Sequence, residues 1–446
     1  MIRGVLTTMY LLVFIESAAT ATPPPPDYVD ASAFGYNATD ATAALQSAIN
    51  TGQDVFVPNM GTPWEITPIS MYHSGQKVLF ESGTVIEAKQ GAFLGASDSL
   101  FHVYADNVTL SGAGATLKMR QNDYTKSPYP AASWRMGIML RGVSNFTAEG
   151  LTIKDTGGDG IYVGSGAGYY SNRPYCENVK IDNVVIDNAY RNGVSVISAK
   201  NLSIENSVIM NTGNAEPQAG IDFEPNYSTE IIENFSVRNT IINTNGSAGI
   251  TFFLSSIATG IVAPATGTIE NVTIAGNQSD GIRLWHIVPG VSVKDSLIVN
   301  NHGVGFIGVV SYLGPISGQP RNSITFSDLY GNSGGGTSGW VTPVTEGGNI
   351  SIAPTFFSTD AGDPYFMYLD PSCSPAITHG AGDGGYMGAR PVVPEPGTAV
   401  LLLVGAGCAL WFVRRKGAGA FFRSPKSIGW EKVILPDHSE CGVESP

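Results

Sequence analysis

At 446 residues the chain has room for two or three ordinary domains, unless it is built from stacked repeats, which lengthen without dividing into domains. Its 24 basic residues face 37 acidic ones, a net charge of −13, which excludes a nucleic-acid partner because phosphate binding is driven by Lys and Arg. With 54 glycines and 43% apolar residues it is too hydrophobic for disorder and rich in turn formers, which suits many short strands.

The N-terminus carries Arg3, an apolar run over residues 5–15 and small residues ending in Ala19-Thr20-Ala21, the order of a secretory signal peptide over 1–21. The run is about half of the ~20 residues a membrane span needs. A Pro-rich stretch, 22–38, reads as a linker. After it, NATDATAALQSAINTGQDVFVP predicts a capping helix with Thr39 or Asp40 as N-cap, Leu45 and Ile49 on its buried face, and a first strand from Val55 to Val57.

From about residue 130 one phrase returns: MGIML, DGIYV, NGVSV, AGIDF, AGITF, DGIRL, GVGF. Its glycines, Gly137, Gly160, Gly193, Gly220, Gly249, Gly281 and Gly303, recur at solenoid spacing. A second phrase lies between them, as in NVKIDNVVIDN and NLSIENSVIMN, giving short β-branched strands with period-two alternation and Asn, Asp or Gly turns. Such strands cannot bury an apolar face alone, so like residues stack on like in successive coils. Asp155, Asn188, Asn211, Thr244 and Asn300 then read as an internal structural ladder. Sequons such as Asn107-Val-Thr and Asn271-Val-Thr belong to the repeat and need no glycan to explain them.

The opening helix, the repeat and the closing phrase LDPSCSPAITHGAGDGGYMGAR together resemble the pectin-lyase-like proteins. The resemblance implies an all-β fold over 39–390, a right-handed parallel β-helix solenoid with an N-terminal capping helix, and an extended polysaccharide as ligand. The superfamily hosts lyases, hydrolases, epimerases and non-enzymatic adhesins, so it does not fix a reaction. Beyond it, Pro394-Glu395-Pro396, an apolar stretch over 397–413 and Arg414, Arg415 and Lys416 resemble the PEP-CTERM sorting signal. That resemblance implies surface export of a chain held in the membrane by its C-terminal span until an exosortase-type enzyme processes segment 391–416. The further tail, 417–446, departs from that pattern. Of four cysteines, Cys408 and Cys441 fall at or beyond the span, and Cys176 and Cys373 read as unpaired and structural.

Alternation points the residue two after each repeat glycine outward, forming a stripe of Met139, Tyr162, Ser195, Asp222, Thr251 and Arg283. A neighbouring row carries Arg141, Gly164, Ile197, Glu224, Phe253 and Trp285, and Asp159, Asn192 and Asp280 precede the glycines. Asp222 and Glu224 should lie about 6.5 to 7 Å apart along one strand. Two such carboxylates can divide acid and base roles, or jointly hold a hard cation such as Ca²⁺. Asp159 and Arg191 complete the candidate catalytic group, with Tyr162, Arg283, Trp285, Asn192 and Arg141 as candidate substrate contacts and Tyr190 as a further aromatic. The bland alternative is a solvated stripe of paired charges. His286 points inward or into a turn, and Ser195 has no cue for a base nearby. Gly-His-Gly, paired-Asp and Asp-Pro-His motifs are missing, so no catalytic residue is carried over from a hydrolase or epimerase family. Two readings follow: an enzyme acting on an extracellular, acidic polysaccharide by lyase or glycosidase chemistry, or a non-catalytic surface or biofilm-matrix scaffold.

Overall fold

In the computed structural model of the chain, residues 23–390 are described apart from 169–170, 255–264, 286–289, 310–321, 339–344, 365, 371–373 and 378–384. The expected signal peptide, sorting signal and tail lie outside them, as do His286, Cys373, Cys408 and Cys441. Among the described residues no helix is long and apolar enough to cross a membrane.

The strands pair in parallel from coil to coil. One sheet of ten strands runs in chain order from Ile69–Met71 to Thr337–Ser338. The remaining ladders form a twenty-stranded sheet that is two faces joined at a bend. Long strands Thr109–Lys118 and Ser144–Lys154 cross that bend, and their register shifts between Glu149 and Leu151. In later coils the bend interrupts the strand at a residue in the left-handed region: Asn183, Asn206, Asn239, Asn271 and Asp295 all have φ between 48° and 52°. Asn and Asp tolerate that region because their side chains hydrogen-bond locally. Three faces therefore enclose one core, in which like residues stack; Phe223 and Phe252, from neighbouring coils, lie parallel with centroids 4.5 Å apart.

The glycine column is present at Gly137, Gly160, Gly193, Gly220, Gly249 and Gly281, and a Cβ at any of them would lie 2.5 to 2.8 Å from the carbonyl oxygen of the next glycine. The close approach of coils, not a special φ, demands glycine there. The seventh member is Gly305 rather than Gly303, because Phe306 takes the place of Ile282 in the next coil.

Three further expectations need correction. Within the stretch read as linker, Tyr28–Asp30 already pairs with Asp54–Val57. The helix, Thr42–Ile49, buries Leu45 and Ile49 as expected, but its N-cap is Ala41; Asp40, one residue earlier, accepts from the Thr42 N–H at 3.1 Å. The ladder of Asp155, Asn188, Asn211, Thr244 and Asn300 is not internal. Its members are half-buried or exposed left-handed turn residues, as where Asn188 donates to Asp155 at 2.7 Å. The buried ladder is one residue further on: Asn245 donates to Asn277, Asn277 to Asn301 and Asn301 to Asn332, at 2.8 to 2.9 Å. Cys176 is buried and unpaired, its thiol pushed up to about 11 by burial.

Candidate functional site

The stripe is built on the ten-stranded sheet. Register places Met139, Tyr162, Ser195, Asp222, Thr251 and Arg283 side by side in successive coils, and Phe253 beside Trp285 in the neighbouring row. Alternation sends these side chains away from the core, which Ile221 and Phe223 fill. They are not on a solvated face, however. Asp159, Asn192, Ser195 and Asp222 are fully buried, roofed by Arg191 and Glu224.

Arg191 is the hub. Its Nη1 lies 3.3 Å from Asp159, and its Nη2 lies 3.0 Å from Glu224 and 3.9 Å from Asp222. Its Nε donates to the Glu216 carbonyl at 3.1 Å, which ties it to the loop 211–220. Beneath it, Asn192 donates from Nδ2 to Ser195 Oγ and to Asp222 Oδ2, both at 3.0 Å, and accepts from the Ala219 N–H at 2.8 Å. The Asn192 backbone N–H donates to Asp159 at 3.1 Å. Every member has a partner except Asp222 Oδ1, which is sealed from water and accepts no hydrogen bond.

That exception has an electrostatic explanation. Burial, then the adjacent Glu224 carboxylate, raise the Asp222 carboxyl well above the usual carboxylate range, against the opposing pull of Arg191. A protonated Asp222 becomes a donor, and the hydrogen bond it then gives Glu224 favours the protonated form further. Burial raises Asp159 too, with Arg191 pulling the other way. Burial disfavours the Arg191 charge, but three carboxylates outweigh it and raise its proton affinity.

Above this cluster opens a cleft of roughly 330 Å³, floored by Arg191, Asp222 and Glu224 and walled by Arg283, Phe253 and Trp285. Trp285 meets Phe253 edge-on with centroids 6.3 Å apart. Arg283 stands in the cleft but its Nε is paired with Asp280 at 2.5 Å, and it also contacts Ser279. Asp159, Arg191, Asn192, Asp222 and Glu224 are therefore brought together, with Arg283 and Trp285 at the rim. Tyr162 and Arg141 are not part of this cleft. They form their own pair, the guanidinium 4.6 Å over the ring and donating to its hydroxyl at 3.3 Å. That stacking covers one face of the Tyr162 ring.

The Ca²⁺ reading of Asp222 and Glu224 is disfavoured by the donor set. Arg191 already bridges the carboxylates where a cation would sit, and among the described residues no group of three or more His, Cys, Asp or Glu side chains is placed to hold a metal. Ser195, set aside in the sequence, lies inside the cluster. Glu216, Pro217 and Ser247 also line the cleft; Glu216 and Pro217 come from the irregular loop 211–220, which no repeat pattern would have announced, and Ser247 from a regular turn.

A family model described as "Right handed beta helix region" matches residues 69–236 and 108–307, together more than half of the chain. Two curated relatives come from Bacillus subtilis (strain 168): the uncharacterized protein YclG, 28% identical over 160 residues, 33% of this chain and 27% of that protein, and the SPbeta prophage-derived uncharacterized protein YorA, 23% identical over 267 residues, 57% of this chain and 43% of that one. The chain thus spans less than half the length of either. Solved structures similar to it include a polygalacturonase from Erwinia carotovora ssp. carotovora, with 14% identity, 75% and 96% of the two chains covered and a TM-score of 0.46. The A-module of the Azotobacter vinelandii mannuronan C-5 epimerase AlgE6 gives 14%, 74%, 100% and 0.42. With its parallel coils, its glycine column and this match, the chain belongs to the right-handed β-helix family.

Proposed function

We propose that the protein is exported and modifies an acidic extracellular polysaccharide in the cleft above Asp222. The observation that carries this reading is the single guanidinium of Arg191 within 4 Å of three carboxylates, one of them fully buried, at the base of an aromatic-walled cleft. A buried carboxyl with raised proton affinity beside a second, partly exposed carboxylate in a cleft is an arrangement acid–base chemistry uses. A uronate carboxylate entering the cleft exchanges with Glu224 on Arg191, which neutralises the substrate and frees Glu224. Glu224 then takes the proton from C5, the C4–O bond breaks as the C4–C5 double bond forms, and protonated Asp222 gives its proton to the leaving oxygen.

Export rests on the signal-like segment 1–21 and on the sorting-signal resemblance over 391–416, with membrane anchoring before exosortase-type cleavage. A second reading, a non-catalytic surface scaffold, has one observation in its favour: Arg191 and Arg283 already have acidic partners, so the cluster is self-contained. Incubating the purified protein with a panel of uronate and neutral glycans separates them. Unsaturated products, seen by ultraviolet absorbance, support elimination. New reducing ends without unsaturation indicate hydrolysis instead, and no product from any glycan favours the scaffold.

A further inference from the structure

A second cleft, roughly 650 Å³, lies on the flank of the same site. It exists because one turn is long. The turn that leads into the ten-stranded sheet has six residues in most later coils: 155–160, 188–193, 244–249, 276–281 and 300–305. It is longer at 89–100, 119–137 and 211–220. Residues 124–134 of the second form most of the cleft wall, and Tyr190 and Ala215 close it. The next residues, Arg191 and Glu216, line the acidic cleft, so the two clefts stand back to back across one thin wall.

The lining is amphipathic in a specific way. Tyr124, Tyr129, Trp134 and Tyr190 supply ring faces, and Ser127 and Ser133 supply hydroxyls. Among the described residues its aliphatic lining is limited to Pro128, Ala131, Ala132 and Ala215. The platform is held rigid from below by fully buried Arg135, whose guanidinium carbon lies 5.2 Å from the Tyr124 ring and 5.9 Å from that of Tyr129. Arg135 is itself fixed by hydrogen bonds to the Phe93 and Pro130 carbonyls at 2.9 and 3.0 Å. Tyr129 is pinned where its hydroxyl accepts from the Gly91 N–H at 2.7 Å. Tyr124 is buried, and its hydroxyl is sealed from solvent beneath the cleft. Trp134, by contrast, keeps 54% of its surface exposed.

We infer that this cleft is a second glycan subsite, taking a pyranose ring against Trp134 and Tyr190 while a neighbouring unit of the same chain lies over Asp222. A pyranose matches the wall, with an apolar C–H face for the rings and hydroxyls for the serines. The substrate then crosses the loop 211–220 obliquely and must span more than one sugar unit. This rests on the glycan reading of the acidic cleft.

The test is a titration of the full-length protein with galacturonate and mannose hexamers and dimers, followed by calorimetry, for the parent, Trp134→Ala, Trp134→Phe and Asp222→Asn. The parent should bind hexamers more tightly than dimers. Trp134→Ala should weaken hexamer binding about threefold to tenfold, the size of one aromatic stacking contact, and Trp134→Phe should restore most of it. An unchanged hexamer-to-dimer ratio in Trp134→Ala would overturn the subsite, and the acidic cleft would stand if Asp222→Asn still altered binding or turnover. Weakened hexamer binding in Trp134→Ala with no effect of Asp222→Asn would keep the subsite and remove the acidic cleft. No binding of any glycan by the parent would overturn both.

Discussion

Two largely buried polar networks among the described residues are built on opposite plans. The ladder of Asn245, Asn277, Asn301 and Asn332 repeats one neutral residue, and the Oδ1 of Asn277, Asn301 and Asn332 each accepts both a side-chain and a backbone N–H from the previous coil. Its Nδ2 groups also reach core-strand carbonyls, as from Asn277 to Ile242 at 3.2 Å. Nothing in it is charged or left over. The cluster around Arg191 repeats nothing: Asp159, Asn192, Ser195, Asp222 and Glu224 come from three coils, carry opposed charges and leave one carboxyl oxygen unmatched. Buried charges cost more than buried amides, so a fold needing only stability would have continued the ladder. The cluster is where the repeat gives way to chemistry.

The sharpest way to break that contrast is to remove the hub. Arg191→Met leaves Asp159 and Glu224 facing each other without a counter-charge and should cost about 3 to 5 kcal/mol, read as a lower melting temperature at neutral pH. The loss should shrink in acid, where the carboxyls protonate. Breaking the ladder should cost less. Asn277→Ala takes the acceptor from both the backbone and side-chain N–H of Asn245 and leaves Asn301 Oδ1 with only the backbone N–H of residue 277, about 1 to 3 kcal/mol in denaturant unfolding, with glycan turnover unchanged.

A pH series sharpens the contrast further. Asp222 holds its proton more tightly folded than unfolded, so the folded chain binds more protons above the ordinary aspartate value of 3.8. Stability contributed by this residue therefore falls as pH rises through the folded titration, at about 1.4 kcal/mol per tenfold change in affinity. Asp222→Asn removes that fall. The variant should melt at or above the parent temperature at neutral and alkaline pH, and the gap should close towards pH 3. A parent that gained on the variant with rising pH would show Asp222 to be a stabilised carboxylate instead.

Much of this was legible in the sequence. The recurring glycine and the period-two strands gave the stacked coils and the membership of the outward rows, since parallel pairing puts like over like. Gly303 was misread because Gly303-Val304-Gly305 offers two glycines, and only the seating of Phe306 beside Ile282 decides between them. The buried ladder carried a signal that went unread: Asn245, Asn277 and Asn301 each follow a left-handed turn residue, Thr244, Gly276 or Asn300. Burial of Asp222 could not be read at all. It depends on Arg191 folding back beneath a loop of irregular length, and insertions such as 119–137 follow no period.

The most direct measurement is Asp222→Asn assayed for turnover and melting together. Asn keeps the shape of a protonated aspartic acid, and its Nδ2 can donate to Glu224 as the acid does, but it has no proton to give a leaving group. A protein that melts no lower than its parent at neutral pH while losing about 10²-fold or more of its polysaccharide turnover is the predicted result. Undiminished turnover in a folded Asp222→Asn protein would contradict it and leave the Arg191 cluster as part of a surface scaffold.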